Sequence, residues 1–98
     1  MPREITWLPA ATQDLIRLRN FIKSSNPIAA KRAATRIIDG IKILQDNPKA
    51  GIPVEGLEGF YDLLLSFGAG NYIIRYREDD HKRLVIVRLR HSREERLD

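Results

Sequence analysis

The chain has 98 residues, 17 Lys plus Arg against 13 Asp plus Glu, a formal net charge of +4 at pH 7 and a pI near 9.8. That length predicts one small domain spanning residues 1–98, and 43% hydrophobic with 31% charged residues exclude a disordered tail or a membrane-spanning chain. No apolar run approaches the ~20 residues of a membrane span, Met1-Pro2-Arg3-Glu4 does not read as a signal peptide, and the lack of cysteine excludes a disulfide framework or thiolate metal site, so the expected location is cytoplasmic.

Residues 4–8 (Glu-Ile-Thr-Trp-Leu) alternate and carry strand formers, which predicts a short first strand. Pro9 suits the first helical position, where its missing N–H costs nothing, and Ala11, Leu15, Leu18 and Ile22 form one apolar stripe through about residue 23. Ser24-Ser25-Asn26-Pro27 ends that helix and starts the next, with Asn26 as N-cap. Ala30, Ala33, Ile37, Ile41 and Leu44 write the second helix, and Asn47-Pro48 ends it because a residue before proline is pushed out of the α region. So short a connection predicts an antiparallel helical hairpin, with Lys31, Arg32, Arg36 and Lys42 on its wet side.

Residues 48–59 are rich in turn formers. Strand-like runs follow at 60–67, 71–78 and 83–91, joined by Gly68-Ala69-Gly70 and by Asp79-Asp80-His81-Lys82, which predicts an antiparallel meander. The order is β-α-α-β-β-β. Segregated helices and strands of this kind define an α+β domain, with the antiparallel helical hairpin packed on one face of a small, mainly antiparallel sheet.

Pairing Glu78 with Arg83 sets a register in which Tyr72, Ile74, Tyr76, Val85, Val87 and Leu89 share one apolar face. The other face then alternates Arg75, Arg77, Arg88 and Arg90 with Ile73, Ile86 and Leu84. The apolar face must receive the helices, and the arginine face must stay partly wet because an unpaired buried guanidinium is very costly. Such a cluster is either a solvated face or a docking surface for carboxylates or phosphates.

Nucleotide-loop, zinc-protease and serine-hydrolase motifs are all missing. His81 falls in a turn and His91 at a strand end, and two histidines without cysteine do not make a structural zinc site. No cofactor and no metal ligands are expected. His91 closes the last strand, where a side chain can face a cleft or simply cap the element. Tyr72, Tyr76 and Trp7 read as core.

The pattern as a whole resembles the ParE/RelE superfamily of toxins from type II toxin–antitoxin pairs. The resemblance is carried by Leu8-Pro9, Ala11-x-x-Asp14-Leu15, Asn26-Pro27-x-Ala29-Ala30, Asn47-Pro48-x-x-Gly51, Asn71-Tyr72-x-Ile74-x-Tyr76-Arg77 and Arg90-His91-x-Arg93. It implies the β-α-α-β-β-β fold reached above. RelE-like members resemble ribosome-dependent mRNA endonucleases, which need a base, cations for the phosphorane-like charge and a proton donor. Here the run 60–67 has no Lys or Arg, Ile73 stands where the RelE pattern has arginine, and no tyrosine follows Arg93. His91 and Arg93 are the residues left to an RNase reading.

These departures favour the ParE-like branch, which implies a non-catalytic toxin that binds DNA gyrase and stalls replication. The alternatives are a RelE-like ribosome-dependent mRNA endonuclease, or a degenerate member that keeps only antitoxin binding. The implied partner is a cognate, ParD-like antitoxin whose acidic amphipathic C-terminal segment contacts Arg75, Arg77, Arg88, Arg90 and Arg93, with apolar anchors on the helical hairpin. No membrane partner is expected, direct nucleic-acid binding is left open, and a toxin dimer or toxin–antitoxin hetero-oligomer fits the class.

Overall fold

Strand β1 (Ile5–Trp7) runs into helix α1 (Pro9–Lys23), and helix α2 (Pro27–Asp46) returns antiparallel to it. Strands β2 (Ile52–Pro53), β3 (Phe60–Phe67), β4 (Gly70–Glu78) and β5 (Leu84–His91) follow. The structure is a computed structural model and describes residues 3–24, 26–68 and 70–94. Of the predicted turn residues, Ser25 and Ala69 lie outside the described residues, as do Met1 and Pro2 of the expected N-terminal segment.

The sheet order is β1-β5-β4-β3-β2, with β1 parallel to β5 and the other pairs antiparallel. The predicted α+β architecture is therefore present, and β2 is an addition to it. This two-residue edge strand, Ile52 and Pro53, pairs with Asp62 and Tyr61 inside the segment read as turns. Proline is tolerated there because an edge strand does not need every N–H.

Local chemistry explains the helix ends. Pro9 and Pro27 occupy the first turns, and the Asn26 side chain accepts a hydrogen bond from the Ala29 N–H at 3.1 Å. The apolar stripes then meet the sheet. Ala11, Leu18, Ala33, Ile37, Ile41 and Leu44 pack on Leu65, Tyr72, Ile74, Tyr76, Leu84, Ile86 and Leu89 in one cluster. Each fully buried Ile or Leu contributes roughly 1.5–3 kcal/mol relative to exposure. Gly40 lets α2 approach β3 closely, since a Cβ at that position would strike the Leu65 side chain.

The register of β4 with β5 corrects the sequence-based expectation. Glu78 opposes Leu84, not Arg83, and the ladder shifts again so that Tyr76 opposes Ile86 while Arg75 opposes Arg88. Val87 is thus the extra residue of a β-bulge. The parity of β5 changes across it. Leu84 and Ile86, expected among the arginines, are fully buried in the core, whereas Val87, expected in the core, is half-buried and Val85 lies on the Arg77 side. The bulge sits where β1 stops pairing: the Leu8 N–H still donates to the Ile86 carbonyl at 3.0 Å, and the chain then turns into α1.

Tyr76 ties the irregular segment to this frame. Its hydroxyl donates to the Pro48 carbonyl and accepts from the Gly51 N–H, both at 2.8 Å. A Cβ on Gly51 would lie 2.8 Å from the Tyr76 ring, so glycine is required for that approach. Tyr61 stacks on Tyr76 with ring centroids 5.6 Å apart.

Candidate functional site

Side chains alternate along β4, so with Tyr72, Ile74 and Tyr76 buried under the helices, Ile73, Arg75 and Arg77 point to the opposite, open face. Past the bulge Arg88 and Arg90 join them, opposing Arg75 and Ile73. All four arginines of the expected cluster therefore share one face. An open groove of about 1220 Å³ runs over it, walled by Ala10, Gln13 and Arg17 of α1 on one side and by Pro53, Val54 and Leu57 on the other.

The electrostatics differ from a bare cationic patch. Asp62 of β3 lies opposite Arg75 and takes its Nε and Nη2 at 3.0 and 3.2 Å. Asp14 of α1 takes the Arg88 Nε and Nη2 at 2.7 and 3.2 Å. Such two-point pairs fix a guanidinium as well as neutralise it. The β4–β5 hairpin alone offered no acid on this face; the acids come from β3 and α1, elements distant in sequence. Arg77 and Arg90 are half-buried and form no ion pair among the described residues, which makes them the charges of the cluster without a carboxylate partner there, whereas Arg88 is the most exposed of the four but is paired.

Asp14 is the residue whose importance the sequence did not reveal beyond its place in the Ala11-x-x-Asp14-Leu15 pattern. It is 5% exposed, yet every polar contact is met. Besides Arg88, its Oδ2 accepts the Leu89 N–H at 2.9 Å, and its Oδ1 lies 3.3 Å from Arg17 Nη2. Arg17 also donates to the Leu89 carbonyl at 3.5 Å and pairs with Glu94 at 3.3 Å. Asp14 and Arg17 thus satisfy the backbone edge of β5 beyond the end of β1. The Asp14 carboxylate holds the Arg88 guanidinium above its usual pKa, first through the hydrogen bonds and then through charge, against a smaller opposing effect of burial.

His91 lies apart from the cluster. It opposes Tyr72 and packs edge-on against its ring at 5.1 Å, on the helix side of the sheet. Its Nδ1 accepts the Arg93 N–H at 3.2 Å, and its own N–H donates to Glu94 Oε1 at 2.7 Å. Arg93 itself is exposed. His81 is exposed in the β4–β5 turn, where Asp79 Oδ1 accepts its N–H at 2.9 Å. Among the described residues no group of His, Cys, Asp and Glu is arranged to hold a metal ion.

Two helices thus cover one face of a small mixed sheet, and an arginine-bearing groove opens on the other. A solved chromosomal ParDE system from P. aeruginosa superposes with a TM-score of 0.74 over 91% of this chain and 95% of the other, at 21% identity. The E. coli toxin RelE, solved free as a double-arginine mutant, gives a TM-score of 0.58 over 91% and 82% of the two chains at 13% identity. In sequence, the toxin RelE3 of Caulobacter vibrioides is 34% identical over 88 residues, 90% of this chain and 92% of the relative. Residues 5–96 match the family model of the ParE toxin of the type II toxin–antitoxin system parDE. The chain belongs to that family, within the ParE/RelE superfamily, and is the toxin of a type II toxin–antitoxin pair. A cognate antitoxin follows from membership. No described helix is long and apolar enough to cross a membrane.

Proposed function

We propose that this toxin works in the cytoplasm by binding DNA gyrase and trapping it, without catalysing a reaction itself, and that the acidic segment of its antitoxin silences it. The observation that carries this reading is the division of groups between the two sheet faces. Cleaving RNA without a metal requires a proton acceptor, a proton donor and free cations around one phosphate. Here His91 packs on the helix side while Arg75 and Arg88 on the open face are already neutralised by Asp62 and Asp14. No histidine or tyrosine lines the groove among the described residues; of its carboxylates, Asp14, Asp62 and Glu94 serve as counter-ions to arginines, and Glu55 forms no ion pair among the described residues.

The antitoxin reading rests on complementary features. Arg77 and Arg90 offer charge on the open face, and Phe21 and Ile28, 80% and 67% exposed, offer apolar anchors on the hairpin. An acidic amphipathic segment that folds on binding satisfies both. The Caulobacter relative carries a RelE name, so an mRNA endonuclease using Arg93 is the second reading. Purified gyrase decides between them. The expected result is loss of supercoiling with accumulation of cleaved DNA on adding the toxin, reversed by antitoxin. Intact supercoiling, together with ribosome-dependent mRNA cleavage abolished by Arg93→Ala, would overturn it.

A further inference from the structure

Residues 18–38 contain Arg19, Lys23, Lys31, Arg32 and Arg36 and neither Asp nor Glu. This stretch, the closed end of the helical hairpin, therefore carries more than the chain's whole excess of +4. Every ion pair among the described residues lies elsewhere in the molecule. Arg36 is half-buried and donates to the Ser66 carbonyl at 3.2 Å, but Arg19, Lys23, Lys31 and Arg32 are exposed with no such partner among the described residues. Arg19 and Lys23, one turn apart on α1, are separated by about 6 Å along the helix axis. Lys31 and Arg32 lie in the early turns of α2, and the antiparallel arrangement of the helices brings them to the same end of the hairpin.

We infer that this end of the hairpin is a docking surface for the phosphate backbone of duplex DNA. The sign and density of charge match a polyanion. Backbone recognition needs long cationic side chains on an outward-facing surface and no pocket, which is what two exposed helix faces supply. The groove that would enclose a small ligand lies on the opposite side of the sheet, and the exposed Phe21 and Ile28 at this end of the hairpin make the acidic antitoxin segment a competitor of DNA for the same surface. The inference rests on the gyrase reading in one respect: DNA is the polyanion which that target holds. The hairpin gives the toxin a grip on the DNA beside the enzyme.

The test is fluorescence anisotropy of a labelled duplex of about two helical turns, titrated with the full-length protein at several salt concentrations. Four phosphate contacts predict a log–log salt slope of about −3.6, equivalent to about a 150-fold loss of affinity between about 50 and 200 mM salt. Lys23→Glu with Lys31→Glu should weaken binding at least tenfold and flatten the slope. Lys49→Glu with Lys82→Glu has the same net charge but changes exposed sites off the hairpin, and should weaken it less than threefold. Thermal melts of both variants check that the fold is retained. Equal losses in the two variants, a salt-independent signal, or no duplex binding by the parent protein would overturn the inference. So would binding to anionic phosphatidylserine vesicles in place of DNA. Gyrase inhibition by a parent protein that does not bind the duplex defeats this inference alone, whereas DNA binding without any effect on gyrase defeats the proposed function alone.

Discussion

Asp14 and Tyr76 show how single polar side chains hold this fold where its ladders stop. Asp14 replaces the strand that β1 fails to provide, taking the Leu89 N–H and holding Arg88 over the groove. Asp14→Ala removes both contacts and should cost about 1–3 kcal/mol in urea unfolding, since a buried donor loses its acceptor while Arg88 turns to water. Tyr76 saturates its hydroxyl between Pro48 and Gly51, so Tyr76→Phe should also cost about 1–3 kcal/mol by leaving those backbone groups unpaired. Burial raises both Tyr72 and Tyr76 above the ordinary tyrosine value of 10.0. Above pH 10 the unfolded chain releases these protons and the folded chain keeps them, so stability falls as pH rises there. Denaturation midpoints measured from pH 8 upward should be insensitive to these two groups until that range, and Tyr76→Phe should shrink the alkaline decline.

Among the elements, β5 departs furthest from its sequence pattern. An unbroken alternation would send Val85, Val87 and Leu89 to the helices, but the Val87 bulge sends Leu84, Ile86 and Leu89 there. Strand β1 adds the physical reason, because Ile5 and Trp7 pair with Leu84 and Ile86 and extend the same covered face. Carboxylate substitution separates the two registers. Ile86→Asp should unfold the domain, a loss above about 4 kcal/mol, because an unpaired charge enters the core. Val87→Asp should cost about 1 kcal/mol, and circular dichroism melts of the two variants measure the difference. Comparable destabilisation by both would contradict the bulge.

At the scale of the molecule, charge is distributed unevenly. The closed end of the hairpin, residues 18–38, holds cations without carboxylates, while the open sheet face holds arginines that are half neutralised from within. Replacing Arg75 and Arg88 therefore disturbs Asp62 and Asp14 as well as any partner, and Arg77 and Arg90 are the cleaner probes. Arg77→Glu with Arg90→Glu should leave the melting temperature within a few degrees of the parent, because neither residue has an ion pair to lose among the described residues. It should weaken association with the antitoxin at least tenfold by calorimetric titration, through repulsion of acidic groups. Unchanged affinity would remove the open face from the antitoxin interface.

The sequence by itself determined both helices, their proline and asparagine starts, the three long strands and the face of β4 that the helices cover. Each of these follows from local periodicity and turn chemistry, which act over a few residues. It also determined that Arg75, Arg77, Arg88 and Arg90 share a face, although by a register that differs from the real one on both sides of the bulge. Only the tertiary structure decided which arginines are neutralised, where the bulge falls, that Ile52 and Pro53 add an edge strand, and that His91 faces away from the cluster. Those outcomes depend on Asp14 meeting Arg88 across 74 positions and Asp62 meeting Arg75 across 13. Pairings of that kind arise when separate elements dock, and no pattern read along one strand contains them.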